Sequence, residues 1–293
     1  MKRGIITVII IAAAGFGIWK VLENNKAKNE AVKKRKDVYG NKVFIRGLIE
    51  ISNICKNDCL YCGIRKGNSC VERYVLPDNQ VLESTRFAIE AGYGSIALQG
   101  GERQDSEWVE RIARLIREIK GLGGTSQPLG ITLSLGEQSS EVFRYWKKAG
   151  ADRYLLRIEA SDEQLYSKIH PSGTKNHSYS TRLQALYDLK SVGYLLGTGV
   201  MIGLPYQTRA NLDNDLKFFK ELEVDMVGMG PYIPHELTPL GKLVAQWKQN
   251  MESTEFRGDF WNLSDKQLLN LSLEMVARLR CLIPHINIAA TTA

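Results

Sequence analysis

Apolar and polar positions along this chain alternate between two patterns. Short apolar, β-branched runs are followed by longer stretches in which apolar residues recur at three- and four-residue spacing. The runs predict strands at Val43–Ile51, Ser95–Leu98, Ile131–Leu135, Tyr154–Ile158, Leu195–Ile202, Met226–Met229 and Ile286–Ala290. The stretches predict helices at Asp78–Ala91, Trp108–Lys120, Ser140–Ala149, Asp162–Ile169, Thr181–Val192, Asn211–Leu222 and Asp265–Leu282. Gly92, Gly150 and Gly193 follow three of these helices, where glycine accepts the left-handed conformation that stops a helix. Strands separated by helices give βαβ units and a parallel sheet. The fold class is α/β, a TIM-type (β/α) barrel. Seven strands are read where a closed barrel has eight, so the last strand is missing from the pattern.

The polar residues collect at the C-terminal ends of the predicted strands. Gln99 to Glu102, Ser134, Glu137, Arg157, Glu159, Met201, Tyr232 and His235 all stand there. In this class of barrel that rim carries the chemistry.

The first residues follow another pattern. Met1-Lys2-Arg3-Gly4 precedes an apolar run from Ile5 to Trp19, extended by Val21 and Leu22 if Lys20 snorkels. Residues 1–22 read as a signal anchor. Eight Lys/Arg between residues 20 and 42, against two before the run, keep the body on the cytoplasmic side. Residues 23–42 are polar, with good helix formers, and read as a helical linker ended by Gly40. Residues 43–293 form the barrel domain. Net charge is +7, yet residues 1–46 carry eleven Lys/Arg and three Asp/Glu, leaving −1 for the rest. The near-neutral body argues against a nucleic-acid surface.

Five cysteines are present, an odd number, and Cys55, Cys59 and Cys62 fall within eight residues. This is a poor disulfide framework and a good metal cluster, and it implies a reducing compartment. Taken alone, the residues leave two readings open. Three thiolates can hold three irons of a 4Fe–4S cluster, whose fourth iron then takes a non-protein ligand such as S-adenosylmethionine (SAM). Alternatively, Cys70 completes a zinc site at an unusual spacing.

Cys55-x3-Cys59-x2-Cys62 with Tyr61, on a loop after the first strand, resembles the radical SAM superfamily. Further segments are similar to the FeFe-hydrogenase maturases within it: Tyr61-Cys62-Gly63-Ile64-Arg65, Leu133-Ser134-Leu135-Gly136-Glu137, Asp152 to Arg157, Gly230 to His235, and Ile288 to Ala293. The resemblance runs over about residues 30 to 293. It implies a radical SAM barrel in which Cys55, Cys59 and Cys62 hold a 4Fe–4S cluster and Tyr61 packs beside the adenine of SAM. It also implies that Gly100, Gly101 and Glu102 meet the methionine amino group. Ser134, Glu159 and Arg182 are further SAM contacts, while Arg157, Met201 and Tyr232 face the substrate.

The implied reaction is reductive cleavage of SAM to a 5′-deoxyadenosyl radical acting on a small substrate, an iron–cysteine complex with CO and CN ligands. The alternatives are an amino-acid mutase like methylornithine synthase and an inactive, membrane-tethered metal-binding barrel. Reduced ferredoxin or flavodoxin is the expected electron donor, and hydrogenase-assembly proteins are candidate partners. The sequence departs from the maturase pattern at Gly100, usually Ser, and at Ile158, usually His. It also departs at Tyr206, usually Gly, in a turn that favours positive φ. Residues 123–130 and 171–180 read as insertions. His170 and His235 read as cap or solvent histidines.

Overall fold

The computed structural model describes residues 26–123, 129–171, 177–252 and 254–290. The candidate anchor, residues 1–22, lies outside them, as do residues 124–128 and 172–176 of the two candidate insertions. Among the described residues no helix is long and apolar enough to cross a membrane.

Seven strands form one parallel sheet in chain order: β1 Gly47–Ser52, β2 Ser95–Gly100, β3 Gly130–Ser134, β4 Arg153–Leu155, β5 Leu195–Ile202, β6 Met226–Pro231 and β7 Asn287–Ala290. The sheet is an open barrel in which β1 and β7 are the two edges. Around it lie α1 (residues 26–39), α2 Asp78–Glu90, α3 Ser106–Leu122, α4 Ser140–Ala149, α5 Glu163–Ile169, α6 Tyr179–Val192, α7 Arg209–Glu221, α8 Pro239–Gln249 and α9 Asp265–Leu282. Every strand foreseen from the apolar runs is present. β1 starts later than expected: Val43, Phe44 and Ile45 are exposed and precede the first sheet hydrogen bonds.

Helix α8 escaped the periodicity reading. Its start was nonetheless marked, because the Thr238 hydroxyl caps Gly241 N–H and Pro239 occupies the first turn, where its missing N–H costs nothing. Most of the other helices begin on a capping side chain: Asp105, Ser139, Asp162, Ser178, Thr208 and Ser264. These caps set where each helix starts relative to the strand before it.

Helix α1 packs onto the C-terminal elements. Lys34 Nζ donates to the Cys281 carbonyl at 3.0 Å and Tyr39 Oη to the His285 carbonyl at 2.7 Å. The main core lies between sheet and helices, with Trp108, Ile112, Phe143, Trp146 and Tyr154 fully buried on one side. A smaller apolar cluster at the rim joins Ala160, Ile169, Leu204, Tyr232 and Trp247, with Leu60, Tyr61 and Met201 packed on it. Burial of this apolar surface, at about 25 cal/mol per Å², holds the rim loops down onto the strand ends.

Candidate active site

The three cysteines sit on the loop that follows β1. Within it, Cys62 N–H donates to the Cys59 carbonyl at 3.2 Å and Arg65 N–H to the Cys62 carbonyl at 3.3 Å. Arg73 closes the loop from behind, donating to the carbonyls of Asn53, Ile64 and Arg65 at 2.7, 2.8 and 2.7 Å. With a further bond from Nη2 to the Asn68 carbonyl at 3.2 Å, one planar guanidinium replaces a strand partner for four backbone acceptors. Nothing in the chain pattern singled Arg73 out.

The Gly100-Gly101-Glu102 turn is bonded directly to the cysteine loop. Gly101 N–H donates to the Ser52 carbonyl at 3.0 Å, Lys56 N–H to the Glu102 carbonyl at 2.9 Å, and Glu102 N–H to Cys55 Sγ at 3.4 Å. A methyl group at Gly101 would collide with the Ile54 carbonyl and lie 2.8 Å from Cys55 Cβ. Gly101 is therefore required by close approach of two backbones.

Burial pushes the Cys59 thiol up to about 12, with the charge of Arg182 opposing. Cys62 is also raised, chiefly by burial, against a hydrogen bond from Ile64. The charges of Cys55 and Cys62 bear on Cys59, and all three are free thiols. Three sulfurs converging from one loop, Cys59 and Cys62 among them desolvated, suit a metal centre, because ligation supplies the positive charge that a buried thiolate needs. Cys70 is exposed on the loop surface. The set of donors fits a three-thiolate 4Fe–4S cluster with one iron left for SAM.

Behind this loop lie three carboxylates, each buried and each held by a cation. Glu102 Oε2 accepts Glu137 N–H at 2.8 Å, and Oε1 lies 3.2 Å from Lys56 Nζ. Gly136, at φ 76°, leaves room for that carboxyl, since any side chain there would strike Glu102. Glu137 Oε1 accepts from Arg182 Nε and faces His177 Nδ1 at 3.3 Å. Burial drives the Glu137 carboxyl up, but the His177 hydrogen bond and the Arg182 charge outweigh it and hold it below the usual range. Glu159 stands at φ 64°, a left-handed conformation rare for a side-chain-bearing residue. Its two oxygens accept from Arg157 Nε at 2.9 and 3.0 Å, and Arg157 Nη2 also donates to the Val200 carbonyl at 3.0 Å.

Arg182 is 6% exposed. It lies early in α6 and points inward, with Nε on Glu137, Nη1 on the Arg157 carbonyl and Nη2 3.5 Å from His177 Nδ1. It ties the ends of β3 and β4 together, and its Nη2 is the nitrogen least engaged.

His170 is a cap histidine, the C-cap of α5 with its N–H on the Tyr166 carbonyl at 3.1 Å, but it does not face solvent. It is 2% exposed, and its Nδ1 donates to the Tyr166 carbonyl at 2.9 Å. That bond leaves Nε2 as the acceptor, 3.1 Å from Tyr61 Oη. Burial first, then the charges of His177 and Arg182, push His170 down to about 2. His177 is equally enclosed, with Nε2 3.2 Å from Cys59 Sγ. His177 belongs to the stretch read as an insertion, so its role escaped the sequence reading. Glu137, by contrast, was marked by its place at a strand end but not assigned a site role. His235 is exposed, and its Nδ1 accepts Leu237 N–H at 3.1 Å, as a cap residue does.

The remaining expected residues are placed as follows. Tyr61, Met201 and Tyr232 meet in the rim apolar cluster. Ser134 ends β3, half-buried, opposite Gln99 of β2. Gly100 ends β2 opposite Ser52 of β1, where an added methyl group would lie 3.1 Å from the Ser52 carbonyl. Tyr206 does adopt positive φ, 67°. A cavity of 730 Å³ opens between α4 and α6 and touches this site at Glu137; the cysteines do not line it.

Residues 49–219 match the Radical SAM superfamily. The chain is 41% identical over 276 residues to the [FeFe] hydrogenase maturase subunit HydE of Thermotoga maritima, covering 92% of this chain and 70% of that protein. It is 28% identical over 230 residues to 3-methylornithine synthase of Methanosarcina acetivorans, covering 78% of this chain and 61% of the relative. Its structure superposes on the crystal structure of methylornithine synthase (PylB) with a TM-score of 0.73 at 25% identity, over 90% of this chain and 70% of that one.

Proposed function

The chain belongs to the radical SAM superfamily, and on that premise we propose that it works in assembly of the FeFe-hydrogenase metal centre, acting on a small iron–cysteine complex with CO and CN ligands. It is a radical SAM enzyme, with a 4Fe–4S cluster and SAM as cofactors. When bound, these supply one-electron cleavage of the sulfonium, which starts radical chemistry on the substrate. The observation that carries the substrate assignment is the 41% identity to HydE across nearly the whole chain, cysteine loop and rim included.

The protein's own residues hold and orient. Cys55, Cys59 and Cys62 bind the cluster. The backbone of Gly100, Gly101 and Glu102 receives the methionine end of SAM, close to the sulfurs because Gly101 lets the two loops touch. Tyr61 packs against the adenine, steadied by its bond to His170. Glu159 accepts from the hydroxyl or ammonium groups of SAM, with Arg157 holding its carboxylate in place. Arg182 keeps Glu137 in place and offers Nη2 to the SAM carboxylate, with Ser134 nearby on the same rim. Met201, Tyr232 and Arg157 form the substrate side, where buried apolar walls exclude water from the radical.

Reduced ferredoxin or flavodoxin supplies the electron, and hydrogenase-assembly proteins take the product. The body, residues 43–293, acts in the reducing cytoplasm, with residues 1–22 as its tether to the membrane and 23–42 as the link.

A second reading, an amino-acid mutase, is favoured by the likeness to methylornithine synthase in both sequence and structure. One experiment tests both. Protein reconstituted without oxygen is expected to bind about four irons per chain and to form 5′-deoxyadenosine from SAM and reductant. The iron–cysteine complex should accelerate this formation and be consumed, while lysine should not. Consumption of lysine instead assigns the mutase. Retention of SAM cleavage by Cys59→Ala rules out the cluster assignment.

A further inference from the structure

Beside the cysteine loop a groove of 470 Å³ opens on the surface. Its floor is apolar: Leu60, Leu240 and Leu243, with Leu237 38% exposed at its lip. Its rim is cationic, formed by Lys168 at the end of α5, Lys242 on α8 and Arg65 on the loop. Arg65 is neutralised by Asp58 at 2.7 Å. Lys168 and Lys242 are exposed and pair with no carboxylate among the described residues, and no carboxylate lines the groove.

Two features show that this groove is built. Lys168 is held in place, with its Nζ 4.6 Å from the centre of the Tyr206 ring. Tyr206 is itself at φ 67°, a conformation costing about 1 kcal/mol or more for a residue with a side chain. It is retained by Tyr206 N–H donating to the Arg257 carbonyl at 2.8 Å and by an edge contact with Trp247 at 5.1 Å. A glycine would relieve the backbone but leave Lys168 without its aromatic platform. The strain is thus spent on a ring whose exposed face organises a surface cation.

The second feature is the route inward. Leu60, on the groove floor, is the residue between Cys59 and Tyr61. Its N–H donates to the Ile169 carbonyl at 3.0 Å, and its carbonyl accepts Leu240 N–H at 3.0 Å. The groove therefore lies one residue from a cluster sulfur and is hydrogen-bonded into both flanking helices.

We propose that this groove is the docking surface for a small acidic electron-carrier protein, with Lys168 and Lys242 meeting carboxylates of the carrier and the Leu60–Leu243 floor taking its apolar contact patch. The proposal rests on the radical SAM reading above. The carrier gives up one electron and is oxidised by one electron. That electron is consumed in breaking the carbon–sulfur bond of SAM, so one carrier is oxidised for each SAM cleaved. Charge complementarity at a rim acts on encounter rate and on salt dependence, which makes the surface separable from the chemistry.

The test uses flavodoxin as the probe and the reconstituted full chain carrying Lys168→Glu together with Lys242→Glu. Direct titration at 50 mM salt should show flavodoxin binding weakened at least about tenfold. Parental binding should weaken as salt rises, because the Debye length shrinks. Dithionite-driven 5′-deoxyadenosine formation should stay within about twofold of the parent, since a small reductant needs no dock. Lys217→Glu, on the exposed face of α7, should change neither. Parental affinity and salt dependence in the double variant overturn the docking surface, as does absence of flavodoxin binding to the parent. Absence of dithionite-driven cleavage in the parent overturns the catalytic reading instead, while the binding titration still decides the groove.

Discussion

Carboxylates occupy both ends of the barrel, and the two ends use them differently. At the N-terminal floor, Asp152 and Asp225 immediately precede β4 and β6. Each reaches back to the strand before: Asp152 Oδ2 accepts Ile131 N–H at 2.7 Å, and Asp225 Oδ2 accepts Leu196 N–H at 2.7 Å. They stitch neighbouring strands in register and remain open to water, with Asp152 also bonded to Lys120 at 2.7 Å. At the C-terminal rim, Glu102, Glu137 and Glu159 are buried and each is paired with a cation. The floor uses the carboxylate as a hydrogen-bond acceptor. The rim uses its charge, stored where solvent cannot screen it.

The sharpest way to break that comparison is to remove the rim's central cation. Arg182→Met leaves Glu137 buried without its guanidinium and frees the Arg157 carbonyl. Removing one partner of a buried pair costs about 3–5 kcal/mol, and urea denaturation should show a loss of that size. The depressed Glu137 carboxyl gives the sign of the pH effect. A carboxyl whose folded pKa lies below its unfolded value stabilises the fold above the unfolded value, near 4.5, and loses that contribution as pH falls through the folded one. The parent should therefore lose more stability than the variant on acidification below about pH 4.5. A loss under about 1 kcal/mol for Arg182→Met would make the rim no different from the floor.

Asp215 sharpens the same point from the opposite side. It is buried on α7 and accepts Ser161 N–H at 2.9 Å and Ser161 Oγ at 2.6 Å on one oxygen, with no cation paired to it among the described residues. Burial lifts it to about 6, the Ser161 bonds opposing and the Asp162 charge adding. The sign is now reversed. The folded protein keeps its proton between the unfolded value of 3.8 and about 6, where the unfolded chain gives it up, so stability falls as pH rises through that window. Asp215→Asn keeps the Ser161 acceptor and removes the ionisation. It should be more stable than the parent by about 3 kcal/mol at pH 7 and gain little at pH 4, read by denaturation at both.

The difference between the two ends also explains what could be read from the chain. The seven strands were legible because apolar runs report burial directly, and the cysteine loop because metal ligands from one loop have fixed spacing. Glu159, Arg157 and Arg182 were placed at the rim by strand-end position and by resemblance. Their mutual pairing was not visible, because Arg182 lies on a helix well beyond β4 and meets Glu137 across the sheet. His170 is the cap residue it was read as, but its burial was not visible for the same reason: it depends on Tyr61, Tyr166 and His177 converging from three segments. Helix α8 was missed because its apolar stripe serves the small rim cluster and is short. Arg73 satisfies loop carbonyls, a role that leaves no periodic trace.

The smallest effect tests the floor. Asp225→Asn retains an oxygen that can accept Leu196 N–H and removes only the charge. With the carboxyl exposed and no buried cation waiting on it, stability should change by no more than about 0.5 kcal/mol. Asp225→Ala removes the acceptor as well and leaves Leu196 N–H at the strand start without its partner, costing about 1 kcal/mol. The ordering Ala worse than Asn, with Asn close to the parent, is what a stitching role requires. If Asn proves as costly as Ala, the floor carboxylate is acting through its charge, and the division between the two ends of the barrel fails at the end where it was simplest.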